Sequence, residues 1–152
     1  MARSFEEYSE GEVMVSPGRT ITEADVVGFA GLSGDWNEIH TNEDVARTGH
    51  YGRRIAHGAL IFSISMGLMS RNDRSTQPDL IAFYGVDRLR FVKPVFFGDT
   101  IHLKQTVLAP EPRDASSGIV NLRHEVFKQD GVLVISYTAK LLVRRRQAQE
   151  AP

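Results

Sequence analysis

The chain has 152 residues, 41% of them hydrophobic and 24% charged, and a formal net charge of −1. This length allows one domain with a sizeable core, and a charge so near zero gives no reason to expect a nucleic acid or a membrane surface as partner. The absence of cysteine excludes disulfides, thiolate nucleophiles and cysteine-based zinc sites. The acidic N-terminus lacks the apolar run of a signal peptide, and the longest apolar stretch is too short to span a bilayer, so we expect a cytoplasmic protein.

The first half of the chain has the pattern of helices. Thr22, with Asp25 three residues later, forms a weak capping box that predicts a helix, and Gly31 and Gly34 are expected to end it. A second, short helix is predicted from Glu43 to Thr48, with Asn42 as its N-cap.

The longest helical segment runs from His57 to about Ser70. Its sequence is apolar nearly all round, which predicts a helix that is buried on every side. Gly58 and Gly67 lower the intrinsic helix propensity, so we expect close backbone approach at these positions.

The second half is rich in β-branched and aromatic residues, which are typical of strands. Alternation predicts that the odd-numbered residues from Leu133 to Val143 share one face, and Asp130-Gly131 predicts a hairpin turn. A short first strand is predicted at Val13 to Val15. The four longer predicted strands lie in residues 79–91, 99–109, 118–129 and 131–145.

This order of elements predicts an α+β fold in which an antiparallel sheet is wrapped on the long helix. We predict a single domain over residues 1–152, with a flexible polar tail from about residue 144. The basic run Arg144 to Arg146 would then belong to a solvated tail.

The stretch SGDWNEIH, from Ser33 to His40, combines a carboxylate, an amide and an imidazole. Residues on one helix face lie three or four apart, so Asp35 and His40 could meet only if the glycine-flanked segment is an irregular loop. In that loop a carboxylate could hold a water while an imidazole gives or takes a proton, and Asn37 could fix an orientation. The same residues also suit an ordinary turn with no catalytic role.

A second motif, AHGAL, places Gly58 at the start of the long helix. A free backbone N–H at a helix N-terminus could bind an oxyanion, and glycine would let a carbonyl group approach. Taken alone, Gly58 is more simply explained by packing, and His57 by packing or capping.

Four segments, FAGLSGDWNEIH, TNEDVA, RIAHGALIFSI and FVKPVFFGDTI, occur in this order and together resemble the signature of the MaoC-like dehydratases, the (R)-specific enoyl-CoA hydratases. The resemblance extends from about Phe5 to Val143. It implies a hot-dog fold, in which an antiparallel sheet is wrapped around a long central helix. It also implies a homodimer or a higher assembly of dimers, with acyl-thioester sites at the interface.

The resemblance further implies a reaction, the reversible syn hydration of a trans-2-enoyl-CoA to an (R)-3-hydroxyacyl-CoA. Asp35 and His40 would hold the water, Gly58 would bind the thioester oxygen through its N–H, and Asn37 would support the loop. We expect no metal and no cofactor, since coenzyme A is part of the substrate.

Residues near these motifs are candidates for substrate binding. His57 adjoins the oxyanion glycine, and Arg88, Arg90 and Lys93 could meet the phosphates of coenzyme A, although exposed strand charges explain the three cations equally well. Glu38 stands where the family usually has proline, and we expect it to point outward. Met66 lies on the long helix and is expected to shape the acyl tunnel.

Other functions on the same fold remain open. A 3-hydroxyacyl-acyl-carrier-protein dehydratase would use the same chemistry, and only the lack of a strongly basic patch favours coenzyme A. A hot-dog thioesterase is less favoured because the long helix carries no carboxylate. A non-catalytic acyl-binding subunit is the least favoured, since Asp35 and His40 are both present.

Overall fold

The computed structural model describes residues 3–72 and 79–146, which contain four α-helices and seven β-strands. None of these helices has the length and hydrophobicity needed to cross a membrane. The helices are α1 (Glu23–Ser33), α2 (Glu38–Thr41), α3 (Glu43–Thr48) and α4 (Gly58–Asn72). The strands are β1 (Val13–Val15), β2 (Arg19–Thr20), β3 (Leu80–Phe91), β4 (Thr100–Val107), β5 (Glu111–Pro112), β6 (Ser117–Lys128) and β7 (Leu133–Arg144).

The strands form one antiparallel sheet in the order β1-β4-β6-β7-β3, with β2 also paired to β4 and β5 to β6. The predicted hairpin joins β6 to β7. Gly131 has a φ of +80° and donates its N–H to the carbonyl of Lys128 at 3.0 Å. A positive φ is readily adopted by glycine, which explains why Asp-Gly predicted this turn correctly.

The predicted helices near the N-terminus are confirmed together with their caps. The Asp25 N–H donates to the Thr22 hydroxyl at 3.3 Å, and the Asp25 carboxylate accepts the Thr22 N–H at 2.9 Å. α1 ends at Gly34, whose φ is +78°. α3 begins after Asn42, whose side-chain oxygen accepts the N–H of Asp44 at 3.1 Å.

The core lies between α4 and the inner face of the sheet, and the predicted α+β arrangement is confirmed. Ile61 and Leu68 of α4 are fully buried, as are Leu103 of β4 and Ile135 of β7. The alternation predicted for β7 holds from Ile135 onward. It is wrong at Leu133, because an irregularity in the pairing with β6 inserts one extra residue, so that Val134 is buried instead.

The prediction that α4 is buried on every side is wrong for one stripe. Ala59, Ser63, Gly67 and Ser70 are exposed in the described chain. The sheet covers only the opposite side of the helix, and small residues lose little by facing water. Nothing lies within 4 Å of an ideal Cβ on Gly67, so close backbone approach is not observed there.

Polar side chains enter the core in a group that we call the buried polar cluster (Ser65, Gln105, His124 and Tyr137). The Tyr137 hydroxyl lies 2.7 Å from Ser65 Oγ, and the Gln105 amide lies 3.1 Å from His124 Nε2. Burial lowers the pKa of His124 to about 3 and raises the pKa of Tyr137 to about 12. Both groups are therefore uncharged at neutral pH.

The basic run before the C-terminus takes part in the fold. Arg144 ends β7, the Arg145 guanidinium donates to Glu6 at 3.2 Å, and Arg146 forms an ion pair with Glu7 at 2.9 Å. The interpretation of these three arginines as the start of a free tail is therefore wrong. The remainder of the predicted tail lies outside the described residues.

Candidate active site

The segment between α1 and α2 is a tight turn held by short polar side chains. The Asp35 N–H donates to the Ser33 hydroxyl, and the Asp35 carboxylate accepts the N–H of Asn37, both at 3.2 Å. Asn37 in turn caps α2, since its side-chain oxygen accepts the N–H of Ile39 at 3.2 Å. These local bonds leave the Asp35 side chain at the surface.

The prediction that SGDWNEIH is irregular throughout is wrong in its second half. Glu38 opens the single turn of α2, which the Asn37 cap stabilises by satisfying a free N–H. The Thr41 hydroxyl closes the turn by donating to the carbonyl of Trp36 at 3.2 Å. Because a loop residue and a helix residue face each other, Asp35 and His40 meet despite a spacing that one continuous helix would not allow.

His40 is 8% exposed, and its Nδ1–H donates to the carbonyl oxygen of Ile55 at 2.7 Å. A carbonyl only accepts, so Nε2 carries the lone pair of the neutral ring. Burial lowers the pKa of His40 below its ordinary 6.5, and nearby His57 lowers it further. The bond to Ile55 and the charge of Asp35 act in the opposite direction and raise the pKa. His40 is therefore neutral at pH 7 and able to accept a proton at Nε2.

His57 immediately precedes α4 and is 2% exposed. Its Nε2–H donates to the backbone carbonyl of Asp35 at 2.9 Å, and its ring centroid lies 3.8 Å from that of His40. One side-chain ligand atom from each of Asp35, His40 and His57 lies within 4.8 Å of the other two. The structure thus brings the predicted pair together and places His57 behind it, away from solvent.

A cleft of about 140 Å³ opens beside the start of α4, and its lining includes Ile55, Gly58 and Phe91. A Cβ on Gly58 would lie 2.8 Å from the Phe91 ring, so the predicted close approach at this glycine is confirmed. The first N–H groups of a helix have no partner inside it, so this end of α4 offers a donor to the cleft. The Asp35–His40 pair is outside the cleft lining, and Ile55 connects the two regions.

The predicted phosphate-binding cations occupy different places. Lys93 lines the cleft, whereas Arg88 and Arg90 are exposed on β3 and are not part of its lining. Arg53 is a further candidate that sequence reasoning did not consider: its guanidinium lies 3.7 Å from the centroid of the Phe96 ring and forms no ion pair with any described residue. A basic residue after a glycine turn, just ahead of the His-Gly motif, was the available signal.

The remaining singled-out residues lie around the site. Glu38 is exposed and its carboxylate accepts from the Asn42 amide at 3.0 Å, so the outward orientation is confirmed. Trp36 is 55% exposed. Met66 is partly buried against the core, with its sulfur 3.6 Å from the Tyr137 hydroxyl, and it does not line the cleft.

Solved structures define the class of fold. A monoamine oxidase regulatory protein from Archaeoglobus superposes with a TM-score of 0.91 at 35% identity, over 95% of this chain and 96% of that one. A MaoC-like dehydratase from Rhodospirillum rubrum gives 0.85 at 27% identity, over 97% of this chain and 100% of that one. A Mycobacterium tuberculosis protein described as a double hot-dog fold gives 0.79 at 21% identity, over 99% of this chain and 47% of that one. The chain has the hot-dog fold.

Sequence comparisons define the family, since residues 4–126 match the MaoC like domain. Protein MaoC of Klebsiella aerogenes is 42% identical over 102 residues, which are 67% of this chain but only 30% of that protein. An (R)-specific enoyl-CoA hydratase of Rhodospirillum rubrum is 41% identical over 72% of this chain and 74% of its own length. A mitochondrial 3-hydroxyacyl-[acyl-carrier-protein] dehydratase of Arabidopsis thaliana is 29% identical over 77% of this chain and 66% of its own length.

The chain belongs to the MaoC-like dehydratase family. Its relatives named as hydratases and dehydratases are hydro-lyases, so the chain is a member of a family of hydro-lyase enzymes.

Proposed function

We propose that this chain catalyses the reversible syn addition of water to a trans-2-enoyl-CoA, giving an (R)-3-hydroxyacyl-CoA. The observation that carries the proposal is the meeting of the Asp35 carboxylate with the imidazole of His40, whose proton-accepting nitrogen is left free by its bond to Ile55. The named hydratase and dehydratase relatives support the same reaction.

The proposed mechanism uses one imidazole as a proton shuttle. The Asp35 carboxylate accepts a hydrogen bond from one O–H of the water. As the water oxygen bonds to the β-carbon, His40 Nε2 takes the proton of the other O–H. The imidazolium then returns that proton to the α-carbon. Because one group accepts and returns the proton, the hydroxyl and the hydrogen arrive on the same face of the double bond, as syn addition requires.

Gly58 is the proposed oxyanion donor. Negative charge moves to the thioester oxygen while the β-carbon is attacked, and an N–H at a helix N-terminus stabilises that charge most in the transition state. The apolar cleft beside Gly58 suits an acyl group or the pantetheine arm. Lys93 in its lining and the exposed Arg53 beside Phe96 are the proposed phosphate contacts.

The proposed assembly is a homodimer in which two copies of β3 pair edge to edge. Among the described strands β3 pairs only with β7, which leaves its other edge free. Leu80, Phe83 and Tyr84 of this strand are 49%, 40% and 51% exposed, and free apolar edges favour pairing with another strand. A second copy could complete the site, because the cleft and the Asp35–His40 pair do not share a lining in one chain. Sizing at micromolar concentration tests this, and a clean monomer would contradict it.

The test of the reaction is the loss of enoyl absorbance when purified protein meets crotonyl-CoA. Asp35→Asn and His40→Gln should abolish the loss, whereas Glu38→Gln, which changes a nearby exposed carboxylate, should not. A wild-type protein that is inert on enoyl-CoAs of short to medium length, and on the acyl-carrier-protein versions, would refute the proposal.

Whether the acyl group is carried by coenzyme A or by acyl carrier protein is tested separately. Arg53→Gln and Lys93→Gln should raise KM for crotonyl-CoA and leave KM for crotonyl-pantetheine unchanged, since only the former substrate carries the nucleotide phosphates. Faster turnover of crotonyl-acyl-carrier protein than of crotonyl-CoA would favour the alternative carrier, which the named Arabidopsis relative uses.

A further inference from the structure

The two nitrogens of His57 have different surroundings. Nε2 faces the Asp35 carbonyl oxygen, which only accepts, so Nε2 bears a proton. Nδ1 is buried and has no hydrogen-bond partner among the described residues. The substrate-binding role suggested by the sequence does not suit this ring, because it is buried and its donor is already used.

His57 also fills the space beside His40. The two rings are tilted by 33° at a centroid distance of 3.8 Å, and Phe29 packs against His57 from another side at 5.1 Å. The ring therefore excludes water from one side of His40, while its hydrogen bond fixes the peptide of Asp35.

We propose that His57 is a positioning residue that fixes the positions of Asp35 and His40 relative to each other through these two contacts. It ties the loop to the start of α4, so that the reacting pair and the Gly58 N–H keep a constant separation. The inference rests on the proposed hydratase reaction.

The groups that act on the titration of His40 support this role. Burial is the largest cause of its lowered pKa; the Ile55 carbonyl and the charge of Asp35 raise the pKa, and His57 lowers it further. Loss of the His57 imidazole would remove one of the two lowering causes, so the pKa of His40 should rise toward its ordinary value of 6.5.

A divalent-cation site is the competing interpretation of the same three side chains. Each imidazole donates its other N–H to a backbone carbonyl, as metal-binding histidines often do. However, the rings of His40 and His57 are partly stacked, with centroids 3.8 Å apart and planes tilted by 33°. Bonds in the planes of two rings stacked in this way do not readily meet at one ion. The geometry favours positioning over metal ligation.

The test compares two replacements with complementary losses. His57→Phe keeps a ring beside His40 but loses the donor, and it should lower kcat for crotonyl-CoA about 10²-fold with little change in KM, as expected for a misplaced reacting group. His57→Gln keeps an amide donor that can reach the Asp35 carbonyl, and it should recover a large part of that loss. In both variants the acid limb of the kcat/KM profile should move to higher pH.

The matched controls are His102→Phe and His102→Gln, which make the same exchanges on β4 at a ring that stacks on Phe127. Both controls should keep the wild-type kcat and pH profile. The positioning role is overturned if His57→Phe keeps the wild-type kcat and pH profile, or if both His57 variants raise KM and leave kcat unchanged. It is also overturned if a chelator removes the wild-type activity and Zn²⁺ restores it.

A measurement on the wild-type protein keeps the test valid if a variant fails to fold. The ¹⁵N spectrum of the imidazoles should show His57 protonated at Nε2 and His40 protonated at Nδ1 at neutral pH. A His57 ring protonated at Nδ1 alone would overturn the inference. Since wild-type hydration of crotonyl-CoA is measured first, failure of the inference and failure of the proposed reaction give different results.

Discussion

Two histidines, His40 and His124, are both buried and both have a lowered pKa, yet they lie in very different surroundings. His40 lies beside the exposed carboxylate of Asp35 at the rim of the fold, with one nitrogen fixed by a backbone carbonyl. His124 is sealed in the core between Gln105 and Tyr137. A neutral imidazole is thus available in both places, but only His40 has a neighbour that opens to water. On the proposed mechanism, accessible partners, and not burial alone, separate the reacting histidine from the structural one.

The largest expected effect separates the two histidines by activity. His40→Gln should lower kcat for crotonyl-CoA by about 10²- to 10⁴-fold, because it removes the group that moves the proton. His124→Gln should leave kcat comparable to that of the wild type. Steady-state kinetics on folded samples of the two variants checks these expectations. A wild-type kcat in His40→Gln would mean that His40 does not move the proton.

The second effect separates them by acid stability. The folded pKa of His124, about 3, lies below its ordinary 6.5, so the unfolded chain binds the proton first as the pH falls. Stability from the neutral ring is therefore complete above pH 6.5 and is lost progressively down to about pH 3, with about 2 kcal/mol gone at pH 5. His124→Gln should remove this part of the pH dependence of the unfolding free energy. Equal pH dependence in the variant and the wild type, measured in urea at pH 7 and pH 5, would contradict the assignment.

A smaller effect is expected from a single hydroxyl in the buried polar cluster. Tyr137→Phe removes the bond to Ser65, while the Ser65 hydroxyl keeps its bond to the carbonyl of Phe62 at 2.6 Å. We expect a loss of about 1 kcal/mol in the free energy of unfolding and an unchanged kcat. Tyr84→Phe, at a ring that is 51% exposed, is the control and should change neither quantity. A lower kcat in Tyr137→Phe would show that the buried polar cluster affects the proposed reaction.

The smallest effect is expected beside the reacting pair, at Glu38→Pro. Asn37 has a ψ of 134°, which suits the residue before a proline, and Glu38 is the first residue of α2, where proline is well tolerated. The gain from a stiffer unfolded chain, about 0.4–1 kcal/mol, is offset by loss of the bond to Asn42. Thermal unfolding should therefore show a small net change with kcat retained, and a large loss of kcat would mean that the carboxylate takes part in the reaction.

The sequence predicted those features that depend on local chemistry. The Thr22 and Asn42 caps, the Asp130-Gly131 turn and the glycine at the head of α4 each require a particular residue type, and each was recognised. The proximity of Asp35 and His40 was also predicted, although on the assumption of an entirely irregular loop. The single turn of α2 was missed because the Asn37 cap was considered only as a possible orienting group.

Features that depend on tertiary contact were harder to predict. The exposed stripe on α4 reflects which side the sheet covers, and its small residues at helical spacing were a signal that the largely apolar pattern obscured. The irregularity at Val134 moves one residue of β7 off its alternation through the pairing with β6. The buried polar cluster did leave a signal, since Gln105 and His124 are in phase with the apolar residues of their strands. Arg53 stands beside Phe96 only because distant segments of chain meet there.

The two roles of Ile55 have a consequence for how substrate preference can diverge in evolution. Its carbonyl oxygen fixes the His40 ring, and its N–H donates to the carbonyl of Ile39 at 3.1 Å, while the residue also lines the cleft. In the proposed mechanism the main chain of Ile55 thus serves the proton chemistry, and the side chain is left to shape the binding surface. Replacement of this side chain by a larger or smaller apolar one can alter the preferred acyl group without moving the imidazole. Position 55 is accordingly where a laboratory selection for new substrates should begin.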